Sequence, residues 1–348
     1  MDYFALTTRG IEEFAKNEVN SKLLNSKIQN TSYRKVVFSF PGDSKEVLKL
    51  RSVEDVFTFL GEINNVGHTK DSLGDLVDRI CKLDFNKALS IISKIRAVSI
   101  KEFSISSSSV GKRNYSYVDL KENLSGKLKD VLKVKYEDEK HETFDLRIFL
   151  EHDKAIVGVR LGAKPLHRRS YKVETTKATL QADVAYAMST LAEITSSDTV
   201  LDPMCGSGTI LIESSTFSPK NILGGDMNSE AVNATIKNIN AFDSNLNVGV
   251  KKWDAIKLPL GDSSVDKIIC NLPFGKQIEV NSISEFYGGL IEEFNRVLKS
   301  NGKMVFLTSA LEELIYAISQ NKLELQSKYE ISLNGEIAWI CVAKNINS

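Results

Sequence analysis

The stretch Asp202-Pro203-Met204-Cys205-Gly206-Ser207-Gly208-Thr209 decides the fold class of this 348-residue chain. A strand-like apolar run precedes it and a helix-like run follows it. A turn crowded with glycine lets the backbone approach a ligand at the mouth of a parallel sheet. This turn begins with a carboxylate, which would repel a pyrophosphate, and it lacks the lysine of a nucleoside triphosphate loop. It therefore predicts a cationic ligand, such as the ammonium and sulfonium groups of S-adenosylmethionine.

From residue 198 onward, strand-like and helix-like runs alternate, as is typical of a mostly parallel sheet with helices on both faces. Strands are predicted at Thr199–Leu201, Ile222–Gly225, Val248–Lys252, Lys267–Cys270, Lys303–Thr308, Tyr329–Leu333 and Ile337–Ala343. The last two are separated by Asn334-Gly335-Glu336, and an Asn-Gly turn favours an antiparallel hairpin. This pattern predicts an α/β fold, the class I (Rossmann-fold) methyltransferase variant, and argues against a nicotinamide dehydrogenase.

The first half of the chain predicts two small α+β units. In the first, strands are predicted at 3–6 and 33–40 and helices at 11–19 and 45–50. In the second, helices are predicted at 73–80, 85–92 and 116–131, and strands at 102–106, 144–151 and 154–160. A further helix over 173–194 is predicted to lead into the parallel sheet.

Two more acids follow the next predicted strands. Asp226 is placed to accept both hydroxyls of a ribose, and Asp254 to accept a hydrogen bond from an adenine amine. Either acid alone could be a solvated strand end, but the series favours a cofactor. The predicted cofactor-binding residues are Asp202, Met204, Cys205, Gly206, Gly208, Thr209, Asp226, Met227, Asp254, Ala255 and Asn271.

The segment Asn271-Leu272-Pro273-Phe274-Gly275 follows the fourth predicted strand and indicates chemistry on a planar amine. The amide of Asn271 and a main-chain carbonyl at Leu272 or Pro273 could accept the two hydrogens of such an amine and aim its lone pair. Proline fixes the backbone, and Phe274 offers a stacking face for a base taken out of its helix. Cys270 raises the alternative of a cysteine nucleophile, but its place inside the strand favours a buried structural cysteine.

Composition sets wider limits. The chain has 45 basic and 45 acidic residues, so only a local patch could attract a polyanion. Four scattered cysteines and four histidines argue against a metal site. The absence of a long apolar run and of a signal-like start predicts a cytoplasmic protein without a membrane segment. A local excess of positive charge lies between residues 160 and 177, which is either a solvated linker or a phosphate-contacting hinge. Its basic residues are Arg160, Lys164, Arg168, Arg169, Lys172 and Lys177.

The whole chain resembles the THUMP-domain RNA methyltransferases of the guanine-N2 type, and among them the enzymes that form N2-methylguanosine at position 6 of transfer RNA. The residues that carry the resemblance are Phe4-Ala5-Leu6-Thr7-Thr8-Arg9-Gly10-Ile11-Glu12, Leu161-Gly162-Ala163-Lys164-Pro165-Leu166-His167-Arg168-Arg169-Ser170-Tyr171, the turn at 202–209 and, most specifically, Asn271-Leu272-Pro273-Phe274-Gly275. Two positions depart from the family pattern. Ser170 stands where glycine is usual, and Leu272 stands where many amino-methyltransferases have a second proline.

The resemblance implies an N-terminal ferredoxin-like domain (1–62), a THUMP RNA-binding domain (63–163) and a catalytic domain (164–348). It implies a monomer without metal that uses S-adenosylmethionine and grips the acceptor stem and 3′ end of transfer RNA. Candidate RNA contacts are Lys112, Arg113, Lys164, Arg168, Arg169 and Lys172. The alternatives are the same chemistry on ribosomal RNA, methylation of DNA or protein amines, and an RNA-binding protein with an inactive catalytic domain.

Overall fold

The computed structural model describes residues 1–137, 144–176, 179–273 and 283–345. Contacts within the chain divide it into two compact units. The first comprises Met1–Thr7 and Glu12–Leu166, and the second comprises Thr8–Ile11 and His167–Ser348. Each unit has a hydrophobic core of its own.

One eight-stranded sheet forms the centre of the first unit. Its strands are β1 (Asp2–Leu6), β2 (Lys27–Ser32), β3 (Lys35–Ser39), β4 (Asp55–Ile63), β5 (Glu102–Val110), β6 (Lys135–Tyr136), β7 (Phe144–Glu151) and β8 (Lys154–Arg160). They lie in the order β2-β3-β1-β4-β8-β7-β5-β6 and are antiparallel except where β5 pairs with β6 and with β7. The sheet continues across residues 62 and 63, and the division into domains at that point stays a prediction.

The helices of the first unit bury one apolar face each. They are α1 (Glu12–Lys22), α2 (Ser44–Val47), α3 (Leu73–Cys81), α4 (Asn86–Arg96) and α5 (Tyr117–Leu132). Helix α5 begins at a capping box, in which the side chains of Ser116 and Asp119 each accept the other residue's backbone N–H. Most predicted elements of this half are confirmed. The predicted helix over 45–50 is a single turn, and strands β2, β4 and β6 were not predicted.

A seven-stranded sheet forms the centre of the second unit. Its strands are β9 (Thr199–Asp202), β10 (Asn221–Asp226), β11 (Val248–Lys252), β12 (Val265–Asn271), β13 (Leu298–Thr308), β14 (Leu323–Leu333) and β15 (Glu336–Asn345). Their order is β11-β10-β9-β12-β13-β15-β14. The first five strands are parallel to one another, and β15 is antiparallel to both of its neighbours, β13 and β14. Asn334 and Gly335 adopt φ values of 52° and 91°, which suits the tight hairpin turn. The predicted strands and their closing hairpin are confirmed.

Helices connect all the consecutive parallel strands except β11 and β12, and the carboxyl ends of the parallel strands share one edge. The helices of this unit are α6 (Ala182–Leu191), α7 (Thr209–Ser215), α8 (Ser229–Phe242), α9 (Ile283–Val297) and α10 (Leu311–Gln320). Asp202, Asp226 and Asn271 each end a strand and therefore meet at this edge. No helix in the described ranges combines the length and apolarity that crossing a bilayer requires.

The predicted helix over 173–194 is wrong at its amino end, because α6 covers only Ala182–Leu191. The side-chain oxygen of Asn238 accepts the backbone N–H of Val173 at 3.0 Å and that of Glu174 at 2.9 Å. A side chain that captures these donors offers the backbone an alternative to the helix. The chain ahead of α6 is irregular as a result.

Candidate active site

The glycine-rich turn between β9 and α7 is held in place by backbone contacts. Cys205 donates its N–H to the carbonyl of Gly225 at 2.8 Å. Gly206 and Gly208 have φ values of 54° and 82°, a region that glycine enters without strain. A Cβ on Gly208 would lie 2.8 Å from the Cγ2 of Thr235. The turn therefore requires glycine at this position for both conformation and space.

Asp202 is a buried carboxylate at the start of this turn, with 1% of its surface exposed. Its Oδ1 accepts the N–H of Met204 at 3.2 Å. Burial raises the pKa of Asp202 well above its usual range, and the negative charge of Asp226 raises it further. A cation beside Asp202 would offset this cost, which fits the ammonium group of S-adenosylmethionine.

Asp226 ends β10 and supports the turn from the side. Its Oδ2 accepts the N–H of Gly206 at 3.0 Å, and its Oδ1 accepts the N–H of Asn228 at 2.9 Å. Each carboxylate oxygen still has a second lone pair. Asp226 can therefore accept the two hydroxyls of a ribose while these backbone contacts hold it in one orientation.

A cleft of about 830 Å³ lies at this edge of the sheet. The predicted residues that line it are Asp202, Met204, Cys205, Gly206, Thr209, Asp226, Asn271 and Pro273. Gly208 lies behind the lining as the residue that caps α7, and Leu272 is 1% exposed. Phe274 lies outside the described residues, and its stacking role stays a prediction.

A smaller recess of about 110 Å³ is lined in part by the same residues, Met204 and Asp226. Its other lining residues are Pro203, Met227, Asp254, Ala255, Ile256, Phe286 and Leu290. The walls are largely apolar, and Asp254 is exposed, with Oδ1 accepting the N–H of Ile256 at 3.0 Å. This combination suits a flat ring with a polar edge. The predicted roles, Asp254 as an acceptor for an adenine amine and Ala255 as a cofactor-binding residue, stay predictions.

Asn271 presents the most unusual polar atom of the site. Its Oδ1 is buried, and within the described part of the chain it has no hydrogen-bond partner. The next residue, Leu272, donates its N–H to the carbonyl of Leu307 at 3.0 Å, which holds the segment against β13. A buried acceptor without a partner costs free energy unless a ligand supplies the donor. Asn271 is thus suited to accept a hydrogen bond from a bound molecule.

Two cysteines lie near the cleft, and neither is activated as a nucleophile. Cys270 is 0% exposed, and burial raises its pKa well above the usual range. Cys205 lines the cleft, but burial also raises its pKa, and its Sγ lies 3.6 Å from the Oγ1 of Thr235. A thiolate is the reactive form, so these shifts argue against covalent catalysis by cysteine.

One wall of the cleft was missed from the sequence, because these residues were assigned to a helix. It comprises Glu174, Thr175, Thr176, Thr179 and Leu180. Asn238 links this wall to the glycine-rich turn between β9 and α7, which we call the cofactor turn. Its Nδ2 donates to the carbonyls of Glu174 at 2.9 Å and Ser207 at 2.8 Å. The adjacent threonines at 175 and 176, which are weak helix formers, were the available signal.

The predicted RNA contacts divide into two groups. Lys112, Lys164 and Arg168 are exposed. The side chains of the other three make contacts within the protein, and their role toward RNA stays a prediction. Arg113 bonds the hydroxyl of Tyr115, Arg169 pairs with the fully buried Glu213, and Lys172 donates to the carbonyl of Leu180 at 2.6 Å.

These internal contacts also change the interpretation of the basic stretch at 160–177. Burial lowers the pKa of Lys172 to about 8. Arg160, in the first unit, pairs with Asp55 and Asp145. Lys177 lies outside the described residues. Several of the positive charges in this stretch therefore make contacts within the fold, and the phosphate-contacting hinge stays a prediction. In the described ranges, no group of three or more His, Cys, Asp or Glu residues is arranged to hold a metal ion.

The strand order of the second unit, with a glycine-rich turn at the cleft, defines the class I methyltransferase fold. Residues 169–338 match the family described as RMKL-like, methyltransferase domain. S-adenosylmethionine is the methyl donor of this class. The buried carboxylate of Asp202 fits that donor, because it faces the cleft without a positive partner among the described residues.

Two curated relatives match to different extents. The chain is 33% identical over 173 residues to U6 snRNA (guanine-N(2))-methyltransferase THUMPD2 of Mus musculus, a match over 49% of this chain. The match covers 32% of that protein, so the chain spans about a third of its length. The chain is also 23% identical to the tRNA (guanine(6)-N2)-methyltransferase of Methanocaldococcus jannaschii, over 96% of this chain and 97% of that protein.

The fold has a close counterpart among solved structures. TrmN from Thermus thermophilus superposes with a TM-score of 0.79 at 21% identity, covering 99% of each chain. At this level of identity the likeness concerns the fold alone. It extends over both units, including the half of the chain that precedes the methyltransferase domain.

Proposed function

We propose that this chain is an S-adenosylmethionine-dependent RNA methyltransferase that forms N2-methylguanosine in transfer RNA, at position 6 of the acceptor stem. The observation that carries this proposal is the buried, unpartnered amide oxygen of Asn271 in the described part of the cleft. Asp202, on the neighbouring strand β9, lines the same cleft. A substrate group that donates a hydrogen bond to Asn271 therefore fits in the same cleft as a cation beside Asp202.

The chemistry follows from the nature of an aromatic amine. Its lone pair is delocalised into the ring, so it attacks poorly until its two hydrogens are held and the lone pair is directed. The Oδ1 of Asn271 accepts one hydrogen, and the carbonyl of Leu272 or Pro273 accepts the other. S-adenosylmethionine supplies the electrophilic methyl group. The contribution of the protein is orientation and hydrogen bonding, without a covalent intermediate.

The choice of transfer RNA rests on how much of the chain each relative matches. The relative named for transfer RNA matches 96% of this chain, whereas the relative named for U6 snRNA matches 49%. The larger match includes the first unit, which is where a substrate-selecting module would lie. It supports transfer RNA over U6 snRNA.

The first unit is proposed to bind the RNA as a ferredoxin-like domain (1–62) followed by a THUMP domain (63–163), with the catalytic domain at 164–348. Lys112, Lys164 and Arg168 are exposed and remain the candidate phosphate contacts. Recognition of the acceptor stem and 3′ end by shape suits what an RNA helix offers. The protein is proposed to act in the cytoplasm as a monomer without a metal ion.

The test is methyl transfer from labelled S-adenosylmethionine to a transfer RNA transcript, followed by nucleoside analysis. We expect label in N2-methylguanosine and none in a transcript that carries adenosine at position 6. Parallel reactions with ribosomal RNA, U6 snRNA and DNA test the other substrates. Binding of S-adenosylhomocysteine without transfer to any of them would favour the inactive RNA-binding protein.

Asn271→Ala tests the role of the amide in the same assay. We expect the turnover number to fall about 100-fold, far more than the affinity for RNA. Asn240→Ala, which alters an exposed asparagine of α8, serves as the control. Equal losses of turnover and RNA affinity in Asn271→Ala would instead assign Asn271 to the fold.

A further inference from the structure

Three hydrogen bonds link helix α9 and the end of β13 to the segment that contains Asn271. The N–H of Ala310 lies 2.9 Å from the Oγ1 of Thr308. That hydroxyl lies 2.8 Å from the hydroxyl of Tyr287, which lies 3.0 Å from the carbonyl oxygen of Pro273. Nothing in the sequence analysis pointed to Tyr287.

The groups at the two ends determine which atom donates in each of these three hydrogen bonds. The N–H of Ala310 can only donate, and the carbonyl of Pro273 can only accept. Thr308 therefore donates to Tyr287, and Tyr287 donates to Pro273. Tyr287 is 0% exposed, and burial raises its pKa to about 12. It therefore keeps its proton, and its role as donor, at any pH at which the protein works.

The carbonyl of Pro273 determines how the chain leaves the active site. The proline ring fixes φ at this residue, so ψ is the remaining free backbone angle. A donor that holds the carbonyl oxygen fixes ψ as well. The N–H of Leu272 is already bonded to Leu307, so the segment is held on both sides of its peptide unit.

We infer that Tyr287 is a positioning residue for methyl transfer, which acts by fixing the carbonyl of Pro273 and with it the orientation of Asn271 and Leu272. Its kinetic consequence rests on the proposed function. Because Tyr287 occupies the Pro273 carbonyl, the Leu272 carbonyl becomes the better acceptor for the second amine hydrogen. Tyr287 itself touches neither the substrate nor the cofactor in this scheme.

Tyr287→Phe removes the hydroxyl and keeps the buried ring. We expect the turnover number to fall about tenfold or more, because small misplacements of reacting groups are costly. The KM for RNA and the Kd for S-adenosylhomocysteine should stay within about twofold, since the cofactor turn is untouched. Thr308→Val should give a smaller loss of turnover, and Thr308→Ser should retain the wild-type value. Wild-type turnover in Tyr287→Phe would overturn the inference.

A matched control separates positioning from stability. Tyr171 is 2% exposed and donates its hydroxyl to Glu213 at 2.7 Å, so Tyr171→Phe also removes a buried phenol contact. We expect it to lower Tm without changing turnover. If both variants lost turnover in proportion to Tm, Tyr287 would be structural only.

Hydrogen exchange gives a readout that needs no RNA substrate. With S-adenosylhomocysteine bound, the amide of Leu272 should exchange faster in Tyr287→Phe than in the wild type or in Tyr171→Phe. Unchanged exchange at Leu272 would count against the inference. If the wild type methylated no RNA, the proposed function would fail, while this exchange measurement would still decide the role of Tyr287.

Discussion

Two clusters of buried polar groups, one in each unit, differ in whether the chain supplies their partners. In the first unit, Arg160 bonds Asp55 at 2.6 Å and Asp145 at 2.8 Å, and all three side chains are at most 12% exposed. In the second unit, Asp202 is as deeply buried, yet the charge that faces it is the negative one of Asp226. The amide oxygen of Asn271 is unpaired within the described chain.

This difference separates groups that stabilise the fold from groups that await a ligand. A buried charge costs several kcal/mol unless a partner offsets it. For Arg160, Asp55 and Asp145 the partners belong to the chain, so this cluster is complete without a ligand. At the cleft the cost is met only when a cation and a hydrogen-bond donor bind. Variants of these two sets should therefore fail in different assays.

The largest effect is expected from Arg160→Ala, which leaves Asp55 and Asp145 buried without their common partner. The free energy of unfolding should fall by about 3–5 kcal/mol. Urea denaturation followed by circular dichroism measures this loss. Arg34→Ala is the matched control, because Arg34 pairs with Glu54 while 38% exposed. Equal losses of unfolding free energy in the two variants would show that burial does not determine how much these ion pairs stabilise the fold.

Asp202→Asn should have the reverse profile, a loss of ligand affinity without a loss of stability. A hydrogen bond to a charged group contributes about 1.5–3 kcal/mol, so the Kd for S-adenosylhomocysteine should rise about 10- to 150-fold. Isothermal titration calorimetry measures the affinity, and Tm reports the fold. A variant with lower Tm and unchanged affinity would make Asp202 a structural residue.

The affinity for S-adenosylhomocysteine should also depend on pH through Asp202. Burial raises the pKa of Asp202 in the free cleft, and a bound ammonium group lowers it. Binding therefore releases a proton when the pH lies below the raised value, and the Kd rises up to tenfold per pH unit as the pH falls. Titrations between about pH 5 and pH 8 test this, and Asp202→Asn should show no such dependence.

The smallest effect is expected from Arg168→Ala, which removes one exposed charge. Loss of one phosphate contact should weaken RNA binding by about 1 kcal/mol or less and reduce the salt slope by about 0.9. Lys220→Ala removes an exposed charge elsewhere and serves as the control. An unchanged salt slope in Arg168→Ala would remove Arg168 from the interface. Arg169→Ala should instead lower stability, because it leaves the buried Glu213 without its cation.

Local sequence signals predicted the second sheet well. The strands have strong apolar runs, and the Asn334-Gly335 turn has a conformation that few other residue pairs adopt. The cofactor turn was predictable for a similar reason, since its glycines and carboxylate stand consecutively. These features depend on residues close together in the chain.

The errors came from contacts between residues far apart in the chain. The sequence ahead of α6 predicts a helix, but the side chain of Asn238 accepts the backbone N–H groups of Val173 and Glu174. Arg169 looks like a surface charge until Glu213 is found beside it. Tyr287 reaches Pro273 only because α9 packs against β12 and β13. Periodicity and composition do not contain this information.

The position of β15 has a consequence for synthesis. It is the last strand of the second sheet in sequence, yet it lies between β13 and β14. Until the ribosome has released residues 336–345, β13 has an open edge and β14 has no neighbour in its sheet. An open edge pairs readily with other chains. Nascent chains of this protein therefore pass through an aggregation-prone interval, in which the glycine-rich turn after β9 has been synthesised but β15 has not yet paired with β13 and β14.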